Sequence, residues 1–554
     1  MQCWRLGTLV MATTVMVAAA ARVAGAQTCI ASRRALAPAA LTGLRIRSVE
    51  VVTQPPPLGR LSPARLLPHT PTRPAVVERE LLFAAGDTVD TLRIAQSMRQ
   101  LRALGIFDDA RVEGRRCVGA RDGTRPDSTT AADVALRVVT RDLMSVTPVV
   151  RVRGSSAAVG VDERNALGSG VALRGVVQSD GNRVGVAMAA HAPGLPWPGA
   201  AAELGAVQYA NGNSWYAGVG PRGAWPTAPW IVDGRVAGSE QRPRNEPGTL
   251  FQRRSSSLLV GRRVRDPGGA ASYLLAGGES DRADLSLLGG DAPVGPRLVH
   301  RDYVGLAAGA MRASTQFDTV SWLLPDSGSV ADVPRGTEGE LLIGAGRDRI
   351  GQQRAGHADL WLGHTLSRPG ARTIVAGDLW ASGFFGDDQL SASTVRSSLV
   401  MLRDAPHGLW TMRLAGERLM RPDPDVRALA LLDPAAAAFP RPAGRLAEMA
   451  VAASAERAVH LRALTRSLGV DGALFAATSF RWDPTAAGRA DDLGATVVGF
   501  GLRLAPWRRA GNTVRLDVGV PVLHTAGVRS RPYVALSIVP WPLSNRTRDG
   551  RRLP

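Results

Sequence analysis

Lysine is missing from all 554 residues, so each of the 67 basic side chains is arginine. The formal net charge of +19 therefore comes from an arginine excess on an alanine- and glycine-rich background, which points to base composition rather than to selection for a ligand. The charge is spread along the chain and has no interleaved stacking aromatics, which argues against a nucleic-acid partner. Only Arg546, Arg548, Arg551 and Arg552 form a dense basic run. Scattered exposed arginines suit anionic lipid or lipopolysaccharide at a membrane surface better. Beyond the first 30 residues there is no uncharged apolar run long enough for a membrane-spanning helix, which excludes a multi-helix membrane protein. Cysteine is scarce, at three residues. Enzyme signatures are missing as well: there is no Gly-x-Ser-x-Gly elbow, phosphate loop or His-Glu-x-x-His. The expectation is a non-enzyme without cofactor or metal. His357 and His364 are seven apart on strand-like sequence, hence on opposite faces and unable to share a metal.

The chain is too long for one ordinary domain, and its 61 glycines and 37 prolines suit strands and turns. Arg5, the apolar run Leu6–Ala21 and Ala24-Gly25-Ala26 make the three-part pattern of a secretory signal peptide over residues 1–26. The expected location is therefore outside the cytoplasm. After removal of Cys3 with that segment, Cys29 and Cys117 remain, and a disulfide between them is plausible in an oxidising compartment; two unpaired thiols is the alternative. Residues 27–43 form an N-terminal segment.

Residues 44–142 read as a small mixed module in the order β-α-α-β-β. Leu44–Val52 alternates as a strand. Thr72 and Pro74 open a helix with Val76, Val77, Leu81 and Leu82 on one side, stopped by Gly86-Asp87. Asp90 or Thr91 caps a second helix with an apolar face of Leu92, Ala95, Met98, Leu101 and Leu104, ended by Gly105. Strands over Phe107–Val112 and Val134–Val139 follow, with a polar loop between them. Arg79-Glu80-Leu81-Leu82-Phe83, Gly86-Asp87 and the run from Arg99 through Leu101 and Gly105 to Phe107 resemble a POTRA domain, the periplasmic module of outer-membrane barrel-assembly proteins. The resemblance implies an exposed strand edge able to pair with an unfolded client.

From 145 to 541 the helical period gives way to short alternating segments between turns, such as Arg183–Ala189, Tyr303–Met311, Thr373–Leu379 and Thr496–Leu504. Eleven of the 12 tryptophans and all five tyrosines lie in this part, as in a membrane barrel with interfacial aromatic girdles. A bilayer admits only helices or closed sheets, and helices are excluded, so a transmembrane barrel is expected. Periodicity yields 16 to 19 candidate strands. Residues 542–554 make a basic tail.

Three places resemble the BamA/TamA assembly (surface antigen) family. They are Asp162–Gly170, then Val426-Arg427-Ala428-Leu429, and then Phe475, Ala477 and Ser479 with Trp482. The resemblance implies an α+β POTRA-like module followed by an all-β barrel of sixteen antiparallel strands. In the family, the loop arginine folds into the lumen and meets an acid on a nearby inner strand. Here Ala428 and Leu429 replace a glycine and an aromatic, and Ala477 stands where that acid is expected. Arg427 would then need Glu448 or Glu456, or would dock differently. The function implied is insertion or translocation of β-rich clients at the outer membrane, with the module in the periplasm and periplasmic accessory proteins as further partners. A passive channel and a translocator for one dedicated secreted partner are the alternatives.

Overall fold

The computed structural model describes residues 30–31, 38–56, 68–118, 133–153, 156–180, 184–195, 200–209, 212–221, 228–242, 249–264, 270–289, 292–293, 298–320, 331–350, 352–367, 372–386, 389–420, 449–465, 468–482, 493–505, 512–524 and 532–540. The signal segment, Cys29, the loop quartet Val426–Leu429, Glu448 and the basic tail lie outside the described residues. The chain divides into two compact units. One comprises Met1–Glu50, Phe83–Thr91 and Val112–Arg137, and the other Val51–Leu82, Leu92–Arg111 and Val138–Pro554.

Four strands, β1 (Ile30–Ala31), β2 (Ile46–Gln54), β3 (Phe107–Val118) and β4 (Val134–Asp142), form a sheet in the order β1-β3-β4-β2. Helices α1 (Pro74–Glu78) and α2 (Thr91–Ala103) lie between β2 and β3 in the chain, so the element order is the one the sequence predicts. The first unit is held by Leu41, Ile46 and Leu136, all fully buried, with Gly114 leaving room for Leu41. Gly86 and Asp87 clasp the start of β2: Ile46 N–H donates to the Asp87 carbonyl (2.8 Å), and Gly86 N–H to that of Ile46 (2.8 Å). Cys117 is disulfide-bonded, and it lies opposite Ala31 of β1.

Both helices differ from their sequence reading. α1 stops at Glu78, because Leu82 N–H is captured by Ser97 Oγ of α2 (2.8 Å), which draws Leu81 and Leu82 out of helical conformation. α2 buries Ile94, Ser97, Met98, Gln100 and Leu101, whereas Leu92 is 77% exposed. Its inner face is rotated because Ser97 must meet the end of α1.

The second unit contains a closed antiparallel barrel. Its first strands are β5 (Val146–Arg153), β6 (Ser156–Ala166), β7 (Val171–Asp180), β8 (Val184–Ala192), β9 (Ala200–Tyr209), β10 (Gly212–Pro221), β11 (Trp230–Gln241), β12 (Thr249–Val264) and β13 (Ala270–Gly289). The stub β14 (Ala292–Pro293) pairs back on the end of β13, which itself pairs with β15 (Leu298–Ser314). The hairpin β16 (Phe317–Val320) and β17 (Ala331–Pro334) is a separate two-stranded sheet. The wall then continues with β18 (Gly336–Asp348), β19 (Gln353–Leu366), β20 (Thr373–Gly386), β21 (Gln389–Ala405) and β22 (Gly408–Met420). It ends with β23 (Met449–Thr465), β24 (Leu468–Trp482), β25 (Leu493–Ala505), β26 (Asn512–His524) and β27 (Tyr533–Pro540).

Without the stub and the hairpin, twenty described strands make the wall, not sixteen. The miscount has a physical cause. The inner face is polar and charged, so a strand such as β13, with Glu279 and Asp281 turned to the lumen near its middle, shows little apolar alternation. The outer face shows the alternation clearly: Val159, Val161, Leu173, Val177, Leu258, Leu306, Ile343, Leu414, Leu474 and Phe500 are all exposed. No water-soluble surface carries so continuous an apolar band, and hydrocarbon is the solvent it fits. We call the end at which β5 begins the base and the opposite end the rim.

Candidate functional site

Three features of the barrel unit stand apart from regular wall: the seam, the base and two ionic clusters on the inner face.

The seam joins the last strand to the first. β27 pairs with β26 from Tyr533 to Pro540, but among the described residues it meets β5 through Ala535–Arg153, Leu536–Val152 and Ser537–Arg151 alone. Continuing that register would set Pro540 opposite Pro148, and proline carries no N–H to give a ladder. Both seam strands thus bring a missing donor to the same level, and the zipper halts above it.

At the base, residues 69–80 lie against two turns of the wall. Asp142, at the end of β4, accepts from Thr72 through N–H (2.9 Å) and Oγ1 (2.8 Å). Asn165 Nδ2 donates to Thr72 Oγ1 (2.8 Å), and its Oδ1 accepts from Gly170 N–H (2.8 Å). His69 places Nδ1 at 3.0 Å from Ser145 Oγ and Nε2 at 3.3 Å from Asp142. Thr72, Asp142, Ser145 and Asn165 are all buried. The turn beside them runs through the left-handed region at Leu167, Gly168 and Gly170. Gly168 is required twice over, by its φ of +72° and because a side chain there would strike Pro71; its carbonyl accepts from Arg73 N–H (3.0 Å). This turn ends the Asp162–Gly170 segment singled out in the sequence. Of the module motif, Arg79 and Glu80 form a close pair (3.8 Å) against Gly194 of the next base turn, and Glu80 is buried. Leu101 and Phe107 are core residues, Leu81 is half-buried, and Gly86 and Gly105 take positive φ as helix- and turn-ending glycines do.

The β16–β17 hairpin also belongs to the base. Val320 and Val333 are buried in one cluster with Ile374 of β20 and with Val400 and Leu402 of β21, whose side chains face the lumen. Arg102 of α2 grips the hairpin by two bonds to Asp332, Nε–Oδ2 at 2.6 Å and Nη2–Oδ1 at 2.9 Å. Arg99 lies over the Phe317 ring at 5.1 Å, and burial depresses its guanidinium pKa while Asp332 partly offsets this. Nothing in the sequence pattern announced the hairpin, because its strands have four residues each.

On the inner wall Phe475, Ala477 and Ser479 share the lumen-facing side of β24 and are buried. Phe475 lies opposite Glu456 and Gly499, and its ring occupies the space that a side chain at Gly499 would fill. Glu456 takes Arg503 through Nε (3.0 Å) and Nη2 (2.8 Å) and Arg515 through Nη2 (2.6 Å), and Asp517 pairs with both arginines. One of the two acids open to Arg427 is therefore already held by neighbouring strands. The second cluster centres on Asp281, bridged by Arg253 (2.8 Å) and Arg301 (2.7 Å). Beside it Glu279 accepts from Tyr303 Oη (3.0 Å) and faces His357 Nδ1 (3.2 Å), while Phe384 stacks on both His357 (4.6 Å) and the Arg301 guanidinium (4.3 Å). His357 faces the lumen and His364 is exposed beside Thr337, on the opposite face as the spacing predicts. Among the described residues no cluster of acids, histidines or cysteines has a metal-holding arrangement.

No protein-family model and no curated protein matches the sequence. Among solved structures, the chain is similar to CdiB and BamA. For CdiB from Acinetobacter baumannii the identity is 11% and the TM-score 0.42, over 90% of this chain and 74% of that one. For BamA from Haemophilus ducreyi lacking POTRA domains 1–3 the identity is 12% and the TM-score 0.34, over 90% and 85%. The siderophore receptor PirA from Pseudomonas aeruginosa is also similar, at 11% identity and a TM-score of 0.32, over 77% and 86%.

Proposed function

We propose that this chain is an outer-membrane barrel of the BamA/TamA type, with a POTRA-like module on the periplasmic side, and that it assists insertion or translocation of β-rich client proteins. The observation that carries the reading is the seam. Among the described residues, every other neighbouring pair of wall strands is zipped over at least eight positions, whereas β27 and β5 share three. An edge exposed there offers unpaired N–H and C=O groups to a client strand, and in hydrocarbon such groups have no water to turn to. Beyond Ile46, which Gly86 and Asp87 hold, the outward edge of β2, last in the order β1-β3-β4-β2, supplies a second strand-pairing surface. The reading needs no nucleotide, metal or catalytic residue. Its partners are membrane lipid and lipopolysaccharide, unfolded clients and periplasmic accessory proteins.

The test is a lock across the seam. Val152→Cys and Leu536→Cys are directly opposed, so oxidation should tie the first strand to the last. In proteoliposomes containing the double variant, a β-barrel client should insert when the bond is reduced and stop inserting when it is formed. Equal insertion in both states would overturn the reading. A passive channel is the second reading, favoured by one observation: Ala477 supplies no acid, and Glu456 is engaged by Arg503 and Arg515. Conductance in planar bilayers that ignores both the seam bond and the presence of client would support it.

A further inference from the structure

Large rings at the two ends of the outer face keep different company. Near the rim, Trp215 lies opposite Ala206 and Gly238, Phe385 opposite Gly356 and Leu390, and Phe480 opposite Val451 and Gly494. Near the base, the rings face guanidinium groups. Trp230 lies opposite Arg262, which sits 5.6 Å from its ring centroid. Trp410 lies between Arg403 on one side and Arg457 on the other, and Arg457 sits 5.5 Å over the ring. Three adjacent strands, β21, β22 and β23, thus present a cationic row with an indole at its centre, 37% exposed.

The row's surroundings specify a ligand with two natures. On the side toward the middle of the wall, Leu399, Met412 and Leu414 are exposed and apolar. On the other side, the Pro406–His407 turn closes the hairpin within three residues. On β21 and β22 the row therefore stands at the edge of the apolar band, whereas on β23 the exposed Leu461 lies beyond it. Neither acid beside these arginines in the chain neutralises them: Asp404 is held by Arg372 (2.6 Å), and Glu456 is on the lumen face with Arg503 and Arg515. Arg457 donates through Nη2 to the Pro406 carbonyl (2.6 Å), which fixes the guanidinium plane, while its Nη1 has no hydrogen-bond partner among the described residues. One guanidinium fixed at Arg457 and one exposed at Arg403, on either side of an amphipathic ring, with Leu399, Met412 and Leu414 toward the middle of the wall, match an anionic headgroup whose acyl chains run toward the bilayer centre.

We infer that the Arg403–Trp410–Arg457 row is a binding subsite for the phosphate of an anionic glycerophospholipid, with the acyl chains lying along Met412 and Leu414. The inference rests on the reading of the barrel as bilayer-spanning. It goes beyond that reading in naming one lipid class and one position. Arg262 and Trp230 repeat the construction with a single arginine and should bind more weakly.

The experiment uses the full chain in detergent micelles and in vesicles. Native mass spectrometry would compare binding of phosphatidylglycerol and phosphatidylcholine to the wild type, to the double variant Arg403→Gln/Arg457→Gln, and to Arg418→Gln, an exposed rim arginine. Wild type should prefer phosphatidylglycerol. The double variant should lose roughly tenfold or more of that affinity, the worth of one charge-assisted hydrogen bond, with phosphatidylcholine unchanged and Arg418→Gln like wild type. Heat-modifiable gel migration of the double variant shows that its barrel is folded. An unchanged preference in a folded, vesicle-inserted double variant would overturn the subsite while leaving the membrane reading intact. Displacement of the lipid by inorganic phosphate alone would overturn it too, as the mark of a small-anion site. Failure of the wild type to enter vesicles at all would take down both.

Discussion

Glu456 illustrates how much a single side chain can carry on a polar inner wall. It neutralises two arginines from different strands, one of them, Arg503, with a side chain only 4% exposed. Removing one member of such a set leaves the others charged and buried, which costs about 3–5 kcal/mol. Glu456→Gln should accordingly lower the unfolding midpoint in urea, whereas Glu456→Gln with Arg503→Met should recover part of the loss. Unfolding followed by tryptophan fluorescence would read both. A smaller effect belongs to Asn165, whose amide ties Thr72 to Gly170. Asn165→Leu should cost about 1–3 kcal/mol, because it orphans the buried Gly170 N–H and leaves the Thr72 hydroxyl with only its bond to Asp142. Proteolysis between residues 69 and 80 is the measurement, and cleavage as slow as in wild type would count against the role. The sequence marked this turn through the resemblance of Asp162–Gly170 to a family motif. It gave no sign of the bonds that Asp142, Thr72 and His69 make, because their partners are contributed from up to 93 residues away and no local spacing encodes such a match.

At the level of elements, the hairpin β16–β17 is the least regular part of the barrel and the most readily tested. Two residues of α2 and one cluster on the inner wall fix it at the base. Reversing one charge, Arg102→Asp, should free it. Pairing that change with Asp332→Arg should fasten it again, as read by the pore conductance of the reconstituted chain. If the single reversal leaves conductance unaltered, the hairpin does not obstruct the lumen. The elements themselves were unevenly legible. Segments such as Tyr303–Met311 and Thr496–Leu504 fall inside β15 and β25, because their outward residues alternate with small ones. Strands β12, β13 and β23 carry a weaker signal, because arginine, serine and acidic residues on the lumen side break the apolar rhythm. α2 was legible in extent but not in orientation, since Ser97 and Gln100, buried here, are polar.

For the molecule as a whole, closure into a cylinder follows from solvation. Exposed leucines and valines face outward, ion pairs face inward, and no backbone edge can stay open in hydrocarbon. The class of fold was therefore readable from aromatic placement and alternation, while the number of strands was not, because strand count is set by how the sheet closes rather than by any one segment. The folded chain should migrate differently on gels before and after boiling, and should require detergent to stay in solution. A protein that remained dispersed without it would contradict the outward apolar band.

The facing prolines give this cylinder a built-in direction of rupture. A tether pulling on the carboxyl end in a single-molecule experiment would meet this shorter join before the longer ladder behind it. The first event on the force trace should be small, with β27 parting from β5 while still attached to β26, and larger steps should follow as successive hairpins leave the wall.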